Sequence, residues 1–220
     1  MAKVTWLGHA SFRVELAGRT LLIDPFIEGN PASPLKGVGE VGPVDLIVVT
    51  HAHGDHGLQE AIAICRTHEA NLVSFFDLIQ DAVGKGLPAE LGVGGNIGGT
   101  VRVRDVAVTF TQAFHTCPIA GVVISAGGFT LYHAADTGLF GDMALIGRRG
   151  LDLALLPIGD CFTMGITDAA QAVDLLQPRA VIPMHYNTFP VIEADPHEFA
   201  RLVGEQARVV VLKPGESVEL

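Results

Sequence analysis

The chain has 220 residues, 49% of them hydrophobic and 17% charged, with a formal net charge of −10. A sizeable core is therefore within reach, a single domain over residues 1–220 is expected, and a nucleic-acid-binding surface is disfavoured. Mean hydropathy is high at +0.40, yet no apolar run approaches the roughly 18 residues of a membrane-spanning helix, and the first residues carry no signal-peptide core.

In chain order, residues 4–15 alternate as a strand interrupted by Gly8. Ala17-Gly18-Arg19 reads as a turn and residues 20–23 as a second strand, making a hairpin that ends at Asp24-Pro25. Residues 28–42, rich in Gly and Pro, form a surface loop that either flanks a pocket or simply connects. Residues 44–50 are an apolar, β-branched run suited to the centre of a covered sheet. A helix follows from Leu58 to His68, then a strand over 71–75 and a helix over 77–83 stopped by Gly84 and Gly86. The glycines of 92–99 lack the strand-to-helix context of a phosphate loop and read as turns. Residues 101–114 alternate as one or two strands that deliver His115. Residues 121–125 and 130–133 form a hairpin around Gly127-Gly128 that runs into Asp136, and 151–158 form a buried strand ending at Gly159-Asp160. Thr167-Asp168 is predicted to cap a helix through Leu176, residues 180–184 to deliver His185, Asp195-Pro196 to start the last helix, and 209–212 and 217–220 to end the chain as strands.

The two halves echo one another. Residues 17–24, leading to Asp24, resemble 127–136, leading to Asp136, and the strand at 45–49 resembles that at 152–156. Two similar β-rich halves with outer helices imply an α/β class fold, a four-layer αβ/βα sandwich.

The chemistry gathers in residues 51–57, His-Ala-His-Gly-Asp-His-Gly. Alternate residues of an extended chain point the same way, so His51 and His53 can grip one ion. Gly54 lets the chain turn sharply, and Asp55 and His56 then face a second ion. Imidazole and carboxylate together suit zinc, iron or manganese. A single turn histidine is ordinarily just solvated; three with an aspartate after a buried strand are not explained that way. Other candidates also stand at strand ends: His115, Asp136 and His185.

This stretch resembles the HxHxDH signature of the metallo-β-lactamase superfamily. Gly-His-Ala-Ser-Phe at 8–12 and Met-His-Tyr-Asn at 184–187 are similar to small metal-dependent hydrolases of the ascorbate-phosphate lactonase type. The resemblance implies the metallo-β-lactamase fold and two divalent ions, zinc first and manganese open. It implies His51, His53 and His115 on one ion, Asp55, His56 and His185 on the other, and Asp136 bridging them. A bridged pair about 3.5–4 Å apart acidifies a shared water, so a bridging hydroxide is the implied nucleophile, with Asp55 helping to orient it. The implied activity is hydrolysis of a small ester, lactone or phosphoester. His53 stands where diiron redox relatives place a glutamate, which leaves a diiron oxidoreductase second and a non-catalytic metal-binding protein third. Position 136 is Asp where many antibiotic-cleaving members have Cys. The helical glutathione-binding domain and the basic arm of other branches are not expected here.

Several roles stay open. Asp24 is expected to orient a histidine ligand and not to bind metal itself. His9 is either a core histidine or a pocket residue. His133, His9 and Tyr186-Asn187 are the candidates to protonate the leaving group, with His133 counted among the catalytic residues beside Asp55 and Asp136. Cys161, after Asp160 in a strand-end loop, could approach the metals, and Cys117 stands two positions from His115, but small buried hydrophobes are the plainer reading. Three scattered cysteines fit reduced thiols in a cytoplasm. The expected partner is a small-molecule substrate, with no nucleic acid and no membrane, and a homo-oligomer left open.

Overall fold

A computed structural model describes residues 1–220. The first half supplies β1 (Ala2–Trp6), β2 (Phe12–Leu16), β3 (Arg19–Ile23), β4 (Leu46–Val48), α1 (Leu58–His68), β5 (Asn71–Phe75), α2 (Phe76–Gly84) and β6 (Gly92–Gly95). The second supplies β7 (Thr100–Val103), β8 (Val106–Thr111), β9 (Gly121–Ala126), β10 (Phe129–His133), α3 (Met143–Gly147), β11 (Leu153–Pro157), α4 (Ile166–Leu176), β12 (Ala180–Met184), α5 (Pro196–Val203), β13 (Arg208–Val209) and β14 (Ser217–Glu219). They form two seven-stranded sheets, ordered β14-β1-β2-β3-β4-β5-β6 and β13-β12-β11-β10-β9-β8-β7.

Period-two alternation sets the layers. Leu21, Ile23, Leu46 and Val48 pack inward into the core shared with Val108, Val122 and Leu131 of the second sheet. Leu22, Ile47 and Val49 point outward beneath Leu58, Ile62 and Ile79 of α1 and α2. Ala172, Val173 and Phe199 of α4 and α5 cover the far side of the second sheet. The result is the expected αβ/βα sandwich.

The internal echo is literal at the backbone. β2–β3 and β9–β10 are antiparallel hairpins, and each second strand then pairs in parallel with the next, β4 or β11. Asp45 and Asp152 occupy equivalent posts: each accepts a bond from the backbone N–H of a hairpin strand, Thr20 at 2.9 Å and Thr130 at 2.8 Å. Each carboxylate also takes an arginine, Arg19 or Arg179.

The structure differs from the sequence reading in five places. Residues 4–15 are two antiparallel strands that share a turn at 7–11. Gly92–Gly95, read as turns, is an edge strand parallel to β5. Its glycines serve close approach: a Cβ on Gly95 would strike the Phe110 ring, and one on Gly92 would meet Ile79. α3 was not foreseen. Thr167 and Asp168 lie inside α4, whose N-cap is Gly165 with no side-chain cap. The strand expected at 209–212 is the two-residue β13. The loop at 28–42 contains only one short 3₁₀ turn, Val38–Glu40.

Candidate metal centre

β4 runs straight into the metal-binding sequence. Val49, Thr50 and His51 stay buried beyond its end, and His51 forms a bridge to Ile119, which ties the turn to the second half. His53 precedes a 3₁₀ turn over Gly54–His56. The sharp reversal belongs to Gly57, not to Gly54 as expected. Gly57 has φ of +69°, and a Cβ there would collide with the Pro25 carbonyl, whereas one on Gly54 would meet nothing.

All seven expected ligands converge. His53 Nδ1 lies 3.1 Å from His51 Nε2 and 3.2 Å from His115 Nε2. Nitrogens about 2.0–2.1 Å from one tetrahedral ion would be roughly 3.3 Å apart. Asp136 Oδ2 lies 3.9 Å from His51 Nε2, 3.8 Å from His115 Nε2, 3.3 Å from His56 Nε2 and 3.1 Å from His185 Nε2. Asp55 reaches the same side as His56 and His185, with a fourth residue, His9, beside it.

Supporting hydrogen bonds decide which atoms face the centre. Asp24, fully buried, accepts from the Thr50 backbone N–H and hydroxyl, both at 2.7 Å. Its Oδ2 also lies 2.8 Å from His56 Nδ1. Because the Thr50 hydroxyl donates to Asp24, the network assigns His51 Nδ1 as the donor across its 3.0 Å contact with Thr50 Oγ1. His51 and His56 thus both turn Nε2 inward. His56 Nε2, Asp136 Oδ1 and both His185 ring nitrogens are buried without a hydrogen-bond partner. Buried polar atoms rarely go unpaired, and a cluster of unpaired lone pairs on nitrogen and carboxylate fits divalent cations.

Electrostatics agree with that fit. Burial and the charge of His56 push His51 down to about 3, so it is neutral and able to ligate. Burial opposes charge at His56 too, but the Asp136 and Asp24 carboxylates outweigh it and raise His56 well above its ordinary value. Asp136 is held well below the usual carboxylate range by His56 and His185 despite its burial.

Five of the seven expected ligands, His53, Asp55, His115, Asp136 and His185, line a pocket of about 280 Å³ that is walled by Thr116, Phe162, Phe189 and Ile192. None of residues 28–42 lines it. A wider depression of about 750 Å³ along 187–196 contains no histidine, so the chemistry lies in the smaller pocket.

Residues 19–186 match the model of the β-lactamase superfamily domain. The chain belongs to the metallo-β-lactamase superfamily. Within it, the chain is 47% identical to a UPF0173 metal-dependent hydrolase of Pyrococcus furiosus over the whole of both chains, and it belongs to that family of metal-dependent hydrolases. A metallo hydrolase of Ignicoccus hospitalis, 40% identical, superposes with a TM-score of 0.91, covering 99% of this chain and 97% of its own. The metallo-β-lactamase fold protein YhfI of Bacillus subtilis shares the fold at 14% identity, with a TM-score of 0.76 and coverage of 99% and 98%.

Not every expected residue reaches the pocket of this hydrolase. His133 is fully buried, with Nε2 3.0 Å from the Ala10 carbonyl and Nδ1 accepting from the Ala135 N–H at 3.1 Å. Both nitrogens are committed and the ring packs edge-on to Phe12, so the structure places His133 in the core and not among the residues that line the pocket. Tyr186 is buried and stacks on Trp6. Asn187 spans a turn, bonding the Ala194 carbonyl and N–H. Cys161 is exposed, while Cys117 reaches the vicinity of His51 and His53. The sequence reading missed Thr50 and Thr188, whose hydroxyls meet His51 Nδ1 and His9 Nδ1, each at 3.0 Å. Thr50 was readable, being polar at the end of an apolar strand; Thr188 gave no signal.

Proposed function

We propose that this metal-dependent hydrolase cleaves a small ester, lactone or phosphoester, using two divalent cations, with zinc the first choice and manganese the second. The observation that carries the reading is the set of buried, unpartnered donor atoms around Asp136 Oδ2 at the base of a small pocket. His51, His53 and His115 would hold one ion, Asp55, His56 and His185 the other, and Asp136 would offer an oxygen to each. Bound there, such ions supply polarisation of a carbonyl or phosphoryl oxygen and acidification of a water.

The remaining work falls to the chain. Asp24 and Thr50 fix the imidazoles in the tautomer that turns Nε2 inward. Asp55 faces the pocket, where it is placed to orient an attacking water. Phe162, Phe189 and Ile192 exclude bulk water and offer an apolar surface to the rest of a small substrate.

A net charge of −10 and the pocket's size favour a small-molecule partner over nucleic acid. No helix is long and apolar enough to cross a membrane. Three unpaired cysteines support the cytoplasm as the compartment.

Metal analysis after zinc or manganese reconstitution, followed by a panel of aryl esters, lactones and phosphodiesters, tests the reading. About two ions per chain with metal-dependent turnover supports it. One ion or fewer, or turnover that appears only as oxygen uptake by an iron-loaded protein, replaces it with the diiron oxidoreductase or the non-catalytic alternative.

A further inference from the structure

Two histidines of this chain are wholly buried and lie outside the seven expected ligands: His133 and His9. His133 shows how a core histidine is satisfied here, with a partner on each nitrogen. His9 is built differently. Its backbone is in the left-handed region at φ +56°, a conformation uncommon for a residue with a side chain. The peptide is clamped there, since the His9 carbonyl accepts from Trp6 Nε1 at 2.9 Å and from the His185 N–H at 3.0 Å. The clamp brings the His9 and His185 rings to 4.0 Å between centroids.

One ring nitrogen is spoken for. His9 Nδ1 lies 3.0 Å from Thr188 Oγ1, and that hydroxyl is 3.5 Å from the Tyr186 carbonyl, to which it can turn its proton. With the hydroxyl turned that way, the Nδ1 proton goes to the bond with Thr188 and a lone pair is left on Nε2. That atom has no hydrogen-bond partner, yet it sits 3.2 Å from Asp55 Oδ2. Two acceptors facing each other in a buried site repel, and each is left without the bond that burial demands. A cation between them removes the conflict. The His9 nitrogen, the Asp55 carboxylate and nitrogens of His56 and His185 all lie within 4.8 Å of one another, a span that one ion can bridge.

We propose that His9 is a ligand of the second cation, contributing Nε2 beside Asp55, His56 and His185. This rests on the two-cation reading above. The competing arrangement has Thr188 donate to Nδ1 and His9 donate from Nε2 to Asp55, which would make His9 a positioning residue only.

The two are separated by nitrogen NMR of the ¹⁵N-histidine-labelled protein, titrated with zinc. The expected result is that His9 Nε2 carries no proton and shifts to a metal-bound position with the second zinc equivalent. A retained Nε2–H in the zinc-loaded protein overturns the proposal. In parallel, His9→Asn keeps a residue that tolerates the left-handed backbone but is too short to ligate. It should hold one zinc as tightly as the wild type and the second at least about 100-fold more weakly, beyond what loss of a supporting contact usually does. Two zincs at wild-type affinity in this variant also overturn the proposal. If His9→Asn does not fold, Thr188→Val leaves the ring in place and should weaken the second zinc about 10–100-fold; unchanged affinity counts against ligation. If the wild type itself binds a single zinc, the two-cation reading fails, and the His9 resonance still reports whether that ion sits on His9.

Discussion

Asp24 Oδ2 lies 2.8 Å from His56 Nδ1, and both residues are fully buried. The same carboxylate reaches His51 through the Thr50 hydroxyl, so one aspartate orients an imidazole assigned to each cation. Asp24→Asn should keep the fold and weaken zinc binding about 10–100-fold, read by competition with a chromophoric chelator. Wild-type metal affinity and turnover in this variant would reduce Asp24 to a turn residue.

Asp136 is the single carboxylate within 3.9 Å of four of the histidines. Its negative charge would offset the repulsion between the two proposed cations. Asp136→Ala should yield a folded protein with about one metal and hydrolysis reduced by at least about two orders of magnitude. Metal analysis and kinetics on the substrate that the wild type cleaves decide this. Two metals with near-normal turnover would remove Asp136 from the bridging position.

Protons and cations compete for His56 Nε2. In the metal-free protein burial opposes its charge, but the Asp136 and Asp24 carboxylates prevail and raise its pKa well above 6.5. His56 is therefore protonated at neutrality until metal displaces that proton. Zinc affinity should rise with pH across the neutral range, and calorimetry in buffers of different protonation enthalpy should detect a released proton. The metal-free fold has the opposite sign: protonated His56 stabilises it fully below 6.5, and that contribution fades as pH climbs through the raised folded value. Zinc binding with no proton released contradicts this account.

The thiols should divide by burial. Cys65 is buried in the α1 layer, and burial pushes it up to about 12, whereas Cys161 is exposed. A thiol reagent at mildly alkaline pH should label Cys161 promptly and Cys65 only after denaturation, as peptide mass spectrometry would show. Prompt labelling of Cys65 in the native protein would mean that α1 opens readily.

The strands were legible where burial on both faces demands an unbroken apolar run, as at β4, β11 and β12. β6 was not, because its glycines answer the approach of Phe110 and α2 and carry no side chain to pattern. α3 spans only five residues, too short for a helical period to show. In the site, the ligand cluster was readable because strand ends deliver it. His133 misled for the same reason: it ends β10, but its pleat turns it inward against Phe12, and only Asp136, three residues on, reaches the rim. His9 stayed undecided because its partners, Asp55 and Thr188, come from distant parts of the chain.

The pairing of β14 with β1 sets Lys3 opposite Glu219 and Thr5 opposite Ser217. The first sheet is thus closed by β14, which follows every other strand in sequence. Without β14, β1 would offer a bare row of N–H and C=O groups, the template on which another molecule's strand can add. A contact between strands so far apart in sequence also closes slowly, so a chain whose β14 has not yet docked, or has been cut away, presents a sticky edge. Once docked, β14 brings Glu219 to that edge, and the charge discourages further strand addition.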